Sequence, residues 1–279
     1  MVTGSTRAPV VSPTSALRVI RRDPGLILLI LVTSTLVIMA LVPELVAPHD
    51  PQEIRPARVA APPSGEFWLG TDNLGRDLFS RIVFGARVEL VVAIGGMLGA
   101  ALPGIPLGLV AGYRGGWIDT LLMRTFDGVL AFPTILLAIM FVAMFGASAL
   151  NIVIVVAVSF LPLFARLARA TTLVLRNTDF VLASIAMGAS PARVMFRVIL
   201  PNAIVPLTVL GSLTVSFAFL IEASMSYLGF GVRPPEPSWG VMLRDAQTYM
   251  RTAPWFVFAP GLAITLAVLA FNQLGDRLR

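Results

Sequence analysis

The side chains able to do chemistry are few in this sequence, and what is missing narrows the chemistry first. All 21 basic residues are arginine; lysine and cysteine are absent, and His49 is the single histidine. Without lysine, the phosphate-gripping residue of a Gly-x-x-x-x-Gly-Lys-Ser/Thr loop cannot exist. Gly95-Gly96 and Gly115-Gly116 are isolated pairs with no strand pattern before them, and read as packing and turn residues. Without cysteine there is no thiolate nucleophile, and a lone histidine excludes a histidine-rich metal cluster. His49, Asp50, Asp72 and Asp77 have metal-ligand side chains but are scattered through a proline-rich stretch, where such residues more often order a loop. No metal, no cofactor and no catalytic residue is therefore assigned, and the chain is read as non-enzymatic. Glu222 stands apart, because it directly follows a long apolar run and charge at a span is a functional hint by default. Two roles are equally open to it: contact with a pore or gate, or a structural hydrogen bond to Ser224 or Ser226. No His-Glu-x-x-His and no paired aspartates fall within an apolar run, which argues against an intramembrane enzyme.

Hydropathy sets the elements that must hold these residues. With 57% hydrophobic residues, 13% charged and a mean hydropathy of +0.86, the chain is an all-α integral membrane protein. Its arginines flank apolar runs instead of covering one face, so topology accounts for the basic balance and nucleic acid is not a partner. Six transmembrane helices are expected. Arg18, Arg21 and Arg22 precede the first uncharged run, Gly25 to Val42, just long enough for the hydrocarbon core. Pro43-Glu44 follows it instead of a small-residue cleavage site, so it reads as a retained span and not a removed signal. Residues 43–87 carry Pro43, Pro48, Pro51, Pro56, Pro62 and Pro63 and form a long outer loop. Residues 1–87 are thus a tail, a span and a loop, with the membrane domain proper at 88–279.

The second span, Leu90 to Ala111, carries Gly95, Gly99, Gly104, Gly108 and Gly112 as a small-residue face for close helix approach, with kinks expected at Pro103 and Pro106. Asp119 to Asp127 is an amphipathic lead-in in which Arg124 and Asp127 are spaced to pair, most simply at the interface. Gly128 to Ala165 is uncharged for 38 residues, nearly right for two crossings, and divides at Gly146–Asn151 into spans at about 120–146 and 151–170. Ala203 to about 222 is the fifth span, 222–251 a second outer loop, and Pro254 to Leu274 the sixth span. Both termini then share a side that holds 13 of the 21 arginines and five of the 15 acids, which places that side in the cytoplasm.

On that side lies an apolar helical hairpin, Thr178 to Asn202, outside any span. Thr178 or Asp179 can cap its first helix, Gly188 sits where a left-handed residue is wanted, and Ser190-Pro191 is an N-cap followed by proline at the first helical position. Phe180, Val181, Leu182, Ala183, Ile185, Ala186 and Met187 leave the first helix apolar all round, so it needs a partner surface.

The motifs Leu69-Gly-Thr-Asp-Asn-Leu-Gly-Arg-Asp77, Gly112-Tyr-Arg-Gly-Gly116, Glu222-Ala-Ser-Met-Ser-Tyr-Leu-Gly229, Pro237-Ser-Trp-Gly240 and Asn272-Gln-Leu-Gly-Asp276 identify a family. The chain resembles, over almost its whole length, the permease subunit of an ATP-binding-cassette importer, of the C type found in bacterial dipeptide, oligopeptide or nickel systems. The resemblance implies a type I importer permease fold in the bacterial cytoplasmic membrane. It also implies a second homologous permease, two cytoplasmic subunits that bind ATP and magnesium, and an extracytoplasmic peptide-binding protein. It makes the hairpin a coupling helix seated on an ATPase subunit, through Phe180, Leu182, Ala183, Ala186, Gly188, Ala189, Arg193, Pro201 and Asn202. Glu222, Ser224, Tyr227 and Trp239 become candidates for the pore or outer gate. Leu182 stands where the family has glutamate, Ser184 where it has alanine and Ile185 where it has arginine. Short peptides are the expected cargo, with nickel or another small solute as the alternative within the family. An ion-driven secondary transporter or a passive channel is the alternative outside it, which the lack of charge deep in the spans disfavours.

Overall fold

The computed structural model describes residues 24–277, so the arginines at 18, 21, 22 and 279, and with them both termini, lie outside the described residues. Among those described, the structure is helical, with one isolated antiparallel bridge between Thr71 and Asp77. The helices are α1 (Pro24–Leu41), α2 (Pro43–Val46), α3 (Leu78–Arg114), α4 (Gly116–Leu130), α5 (Thr134–Phe145), α6 (Ala149–Leu175), α7 (Asp179–Ala186), α8 (Pro191–Tyr227), α9 (Trp239–Ala246) and α10 (Pro254–Arg277). By length and composition α3, α6, α8 and α10 can each cross a membrane; α4 and α5 make a fifth crossing if taken as one broken span, and α1 is a shorter apolar helix.

Three boundaries differ from the expectation, each for a physical reason. The outer loop ends at Asp77, ten residues early, because the polar Ser80, Arg81 and Glu89 of α3 are all buried against partners instead of being solvated. Where the third span is expected the chain is not straight: α4 and α5 meet at 83°, where Pro133 has no N–H to continue the helix and its ring disfavours the helical conformation of Phe132. The hairpin's second helix is no separate element but the first turns of α8. A stretch of π-helix, Val194–Ile199, precedes Pro201, whose nitrogen cannot donate to the carbonyl of Arg197. The kinks expected at Pro103 and Pro106 do not break α3, which runs through both residues. The break at Gly146 is where the sequence placed it, with φ +88° and Ser148 capping α6 by accepting from the Asn151 N–H at 3.2 Å.

The most extensive helix pair is α3 with α6, and the glycine stripe explains it. A Cβ on Gly99 would fall 2.8 Å from Ala157, one on Gly104 2.8 Å from the Leu161 carbonyl oxygen, and one on Gly112 2.8 Å from Thr172. The two backbones approach so closely that only hydrogen fits between them. Gly108→Leu, whose Cβ would overlap the Ala165 carbonyl and lie 2.8 Å from Ala168, is expected to lower the unfolding temperature of the detergent-solubilised protein by overpacking worth about 1–3 kcal/mol or more. Gly128→Leu, with nothing within 4 Å of its Cβ, should not. Equal melting of the two variants would refute this account of the pair.

Candidate functional site

Three places gather the polar and exposed apolar side chains, one at each end of the bundle and one partway along it. At the end where α6 finishes, Thr178 occupies the N-cap of α7, yet its hydroxyl donates to the Leu175 carbonyl at 2.6 Å, so the expected side-chain cap is not made. The other end of α7 closes as a Schellman motif. The Ala189 N–H donates to Ser184 O at 3.1 Å and the Gly188 N–H to Ile185 O at 2.9 Å, with Gly188 at φ +84°. Ser190 then caps α8 by accepting from the Arg193 N–H at 3.4 Å, and Pro191 opens the helix.

One face of α7 is anchored: Val181 is fully buried against Leu109 of α3 and Val194, Met195 and Ile199 of α8. The rest is open. Phe180, Leu182 and Ile185 are between 43% and 51% exposed and Met187 is 81% exposed. Ala183, Ala186, Gly188, Arg193, Pro201 and Asn202 are also exposed, and Ala189 is half-buried. The Asn202 amide donates to Val198 O at 2.7 Å, holding it to α8. The hairpin residues named from sequence therefore share one end of the molecule, with an apolar surface on a rigid turn.

At the opposite end, the long helix that starts in the hairpin terminates in a buried polar joint. Glu222 is fully buried, and Ser226 and Ser238 donate to its Oε1 at 2.7 and 2.9 Å; Ser224 bonds elsewhere, to Leu220 O at 2.6 Å. The Ser238 hydroxyl makes no cap bond to α9, and Glu89 of α3 instead accepts from the Trp239 N–H at 3.3 Å. The Trp239 ring is buried beside Phe219, and its indole N–H donates to Ile82 O at 3.0 Å. Gly85 admits it, since a Cβ there would lie 2.9 Å from the ring. Of the four outer candidates, Glu222 and Trp239 thus meet in one joint, while Ser224 is partly exposed and Tyr227 lies at the surface, accepting from Gln247. Sequence reading gave no role to Glu89, Ser238 or Gly85, although Ser238 lies within the motif Pro237-Ser-Trp-Gly240. Glu89 carried a signal, a carboxylate at the start of an apolar run, which was lost when its neighbours were read as loop.

The loop that precedes α3 is fastened to the same end. Asp72 accepts from the backbone N–H groups of Leu74 and Arg76 at 2.8 and 2.9 Å, and pairs with the Arg76 and Arg81 guanidiniums at 2.6 and 3.3 Å. Arg81 also donates to Pro51 O at 3.0 Å. Asp77 caps α3 through the Phe79 and Ser80 N–H groups and lies 3.2 Å from His49 Nδ1. Asp72, Asp77 and His49 therefore order the loop, and among the described residues no group of three or more acids and histidines is arranged to hold a metal.

Partway along the bundle, Asp127 pairs with Arg166 of α6 and not with Arg124, correcting the expected local pair, and Asp119 holds Arg169 at 2.5 and 2.6 Å. Long-range partners win here because α4 lies against α6. The Arg176 guanidinium adds a bond to Gly112 O at 2.9 Å.

None of these places combines a nucleophile, a base and a substrate cleft. What they form is an apolar hairpin and a buried joint at opposite ends of one 37-residue helix, about 55 Å long. The dipeptide transport system permease protein DppC of Alkalihalophilus pseudofirmus is 44% identical over 251 residues, 90% of this chain and 82% of that protein. The di/tripeptide transport system permease protein DppC of Pseudomonas aeruginosa is 43% identical over 261 residues, 91% and 85% of the two chains. The glutathione transport system permease protein GsiD of Pectobacterium atrosepticum is 46% identical over 217 residues, 78% and 72%. In fold the chain is similar to the MetNI methionine ABC transporter, with a TM-score of 0.58 at 21% identity over 72% of this chain and 95% of that one. Residues 104–279 match the family described as binding-protein-dependent transport system inner membrane component. The chain belongs to that family, the multi-pass permease subunits of ABC importers, with peptide-system permeases as its relatives.

Proposed function

We propose that the chain is the permease subunit of an ATP-driven importer of short peptides, in which α8 carries motion between an ATPase docked on the hairpin and a gate at the opposite end. The observation behind this reading is the continuity of α8 from the exposed hairpin to the buried Glu222 joint. An exposed apolar helix on the aqueous side gains roughly 25 cal/mol per Å² on docking, which supplies the reason for a partner at Phe180, Leu182, Ile185 and Met187. In this reading α1 and the broken α4–α5 pair complete six crossings, the hairpin and both termini face the cytoplasm, and a homologous permease closes the path. Two ATPase subunits supply the nucleotide sites that a chain without lysine cannot build in the usual way. ATP-driven closure of the ATPase pair biases a two-state arrangement of the helices, so that the path opens alternately to either side.

Peptide cargo follows the relatives, which are named for dipeptides, tripeptides and glutathione; none of those described here is named for nickel. The test is uptake into proteoliposomes. Dipeptide accumulation is expected to require ATP, both ATPase subunits, the second permease and the binding protein, and the isolated chain is expected to hydrolyse no ATP. Uptake by this chain alone without ATP would overturn the reading.

A further inference from the structure

A polar recess interrupts the apolar surface of the bundle at the inner halves of α4 and α6. Asp119, Met123, Arg124 and Asp127 of α4 line it with Arg166 and Arg169 of α6, around a cavity of about 560 Å³. Its depth is what makes it unusual. Arg166 lies ten residues before Arg176, the C-cap of α6, about 15 Å along the helix axis. The 27 residues of α6 span about 40 Å against a hydrocarbon core of about 30 Å, so a helix centred on the core carries Arg166 inside the apolar slab. Yet the side chains of Asp127 and Arg166 are each 46% exposed. Charged side chains within spans almost always turn to the bundle interior or to water-filled cavities, and there they mark substrate paths. The apolar side chains of the neighbouring α5, among them Leu136, Met140 and Met144, are exposed and carry no such restriction.

We propose that this recess faces the water-filled path of the assembled transporter and holds the charged termini of a peptide in transit. The inference rests on the peptide reading above for its ligand, but not for its exposure to water. The chemistry matches a zwitterion. Asp119 is saturated by two bonds from Arg169, whereas the Asp127–Arg166 pair is half-exposed, and an exposed pair is worth no more than about 1 kcal/mol, so a ligand separates it easily. Among the described residues Arg124 has no ion-pair partner. With three arginines to two aspartates the recess carries one excess positive charge. A peptide carboxylate therefore meets Arg124 and Arg166 through charge-assisted hydrogen bonds, and its ammonium meets Asp127.

The chain has no cysteine, so a single Met123→Cys change creates a unique thiol in a complex whose partner subunits are made cysteine-free. In the full complex in proteoliposomes, this thiol is expected to react with a charged, membrane-impermeant methanethiosulfonate, and saturating Ala-Ala together with binding protein is expected to slow the reaction severalfold. A thiol that stays unreactive in the complex would mean that the recess faces lipid or the second permease, and would overturn the proposal. Labelling that transported dipeptides never slow would overturn the ligand assignment. The failure of the peptide reading itself shows separately, as absent dipeptide uptake by the unmodified complex. In a second arm, Arg124→Gln is expected to raise the uptake KM about tenfold for free dipeptides, the size of one charge-assisted hydrogen bond, and to leave dipeptide carboxamides unaffected. An equal effect on both would exclude a carboxylate contact.

Discussion

Gly188→Asp is expected to leave a complex that assembles and hydrolyses ATP at its basal rate but in which substrate-loaded binding protein no longer stimulates hydrolysis and uptake collapses. Gly188 has φ +84°, and a side chain there costs about 1 kcal/mol, too little to unfold a packed helical bundle. Nothing lies within 4 Å of its Cβ, so there is no clash to destroy the fold either. The damage is to direction. The two Schellman bonds, from Ala189 to Ser184 and from Gly188 to Ile185, set how α7 leaves α8, and α7 is otherwise held chiefly by Val181 in its small cluster. Strain at the turn is relieved by tilting α7, and its exposed face then meets the ATPase at the wrong angle. Leu182 and Ile185 supply no charge with which to correct the docking. Coupling free energies of 1–3 kcal/mol correspond to about 5- to 150-fold in response, so stimulation should fall by at least about fivefold. Co-purification, basal hydrolysis and stimulated hydrolysis measured on one preparation decide the matter. Normal stimulation and normal uptake would show that the hairpin is not the coupling element.

Asp72→Ala is expected to be the most destabilising single change outside the spans. Asp72 is 1% exposed, its Oδ2 faces two guanidiniums, and its Oδ1 accepts two backbone N–H groups. Its loss strands Arg81, 2% exposed, and Arg76, 7% exposed, without their counter-charge. Removing one partner of a buried pair costs about 3–5 kcal/mol, which for a chain of this size is a fall of about 10 °C in thermal unfolding. Glu66→Ala is the control: its pair with Arg58 is 3.9 Å long and more than half exposed, and exposed pairs contribute about 0–1 kcal/mol. The loop should also lose protease resistance in the first variant and keep it in the second. If both variants unfold at the parental temperature, the buried network does not hold the outer loop.

What the sequence determined by itself are the features with a local cause. Hydropathy marked the apolar runs, because water and lipid sort side chains whatever the tertiary arrangement. Gly146 and Gly188 marked breaks, because positive φ favours glycine, and the stripe from Gly95 to Gly112 marked a close helix contact. The motifs from Leu69 to Asp77 and from Glu222 to Gly229 carried the family, and Asp77 and Glu222 proved to be buried ties in the structure. What only the tertiary structure decided are the features that depend on residues distant in the chain. Arg81 read as loop because an unpartnered charge avoids apolar surroundings, and its partners Asp72 and Pro51, like the partner Trp239 of Glu89, come from other segments. Asp127 faced Arg124 by local spacing, yet Arg166 captures it across 39 residues because α4 lies on α6. The apolar pattern cannot show that the hairpin and the span after it are one helix, since proline at 201 and 206 argues locally for a break. Packing against α3 and α10 and the widened turn at Val194–Ile199 carry the helix through both prolines, and so connect the exposed apolar hairpin to the joint at Glu222.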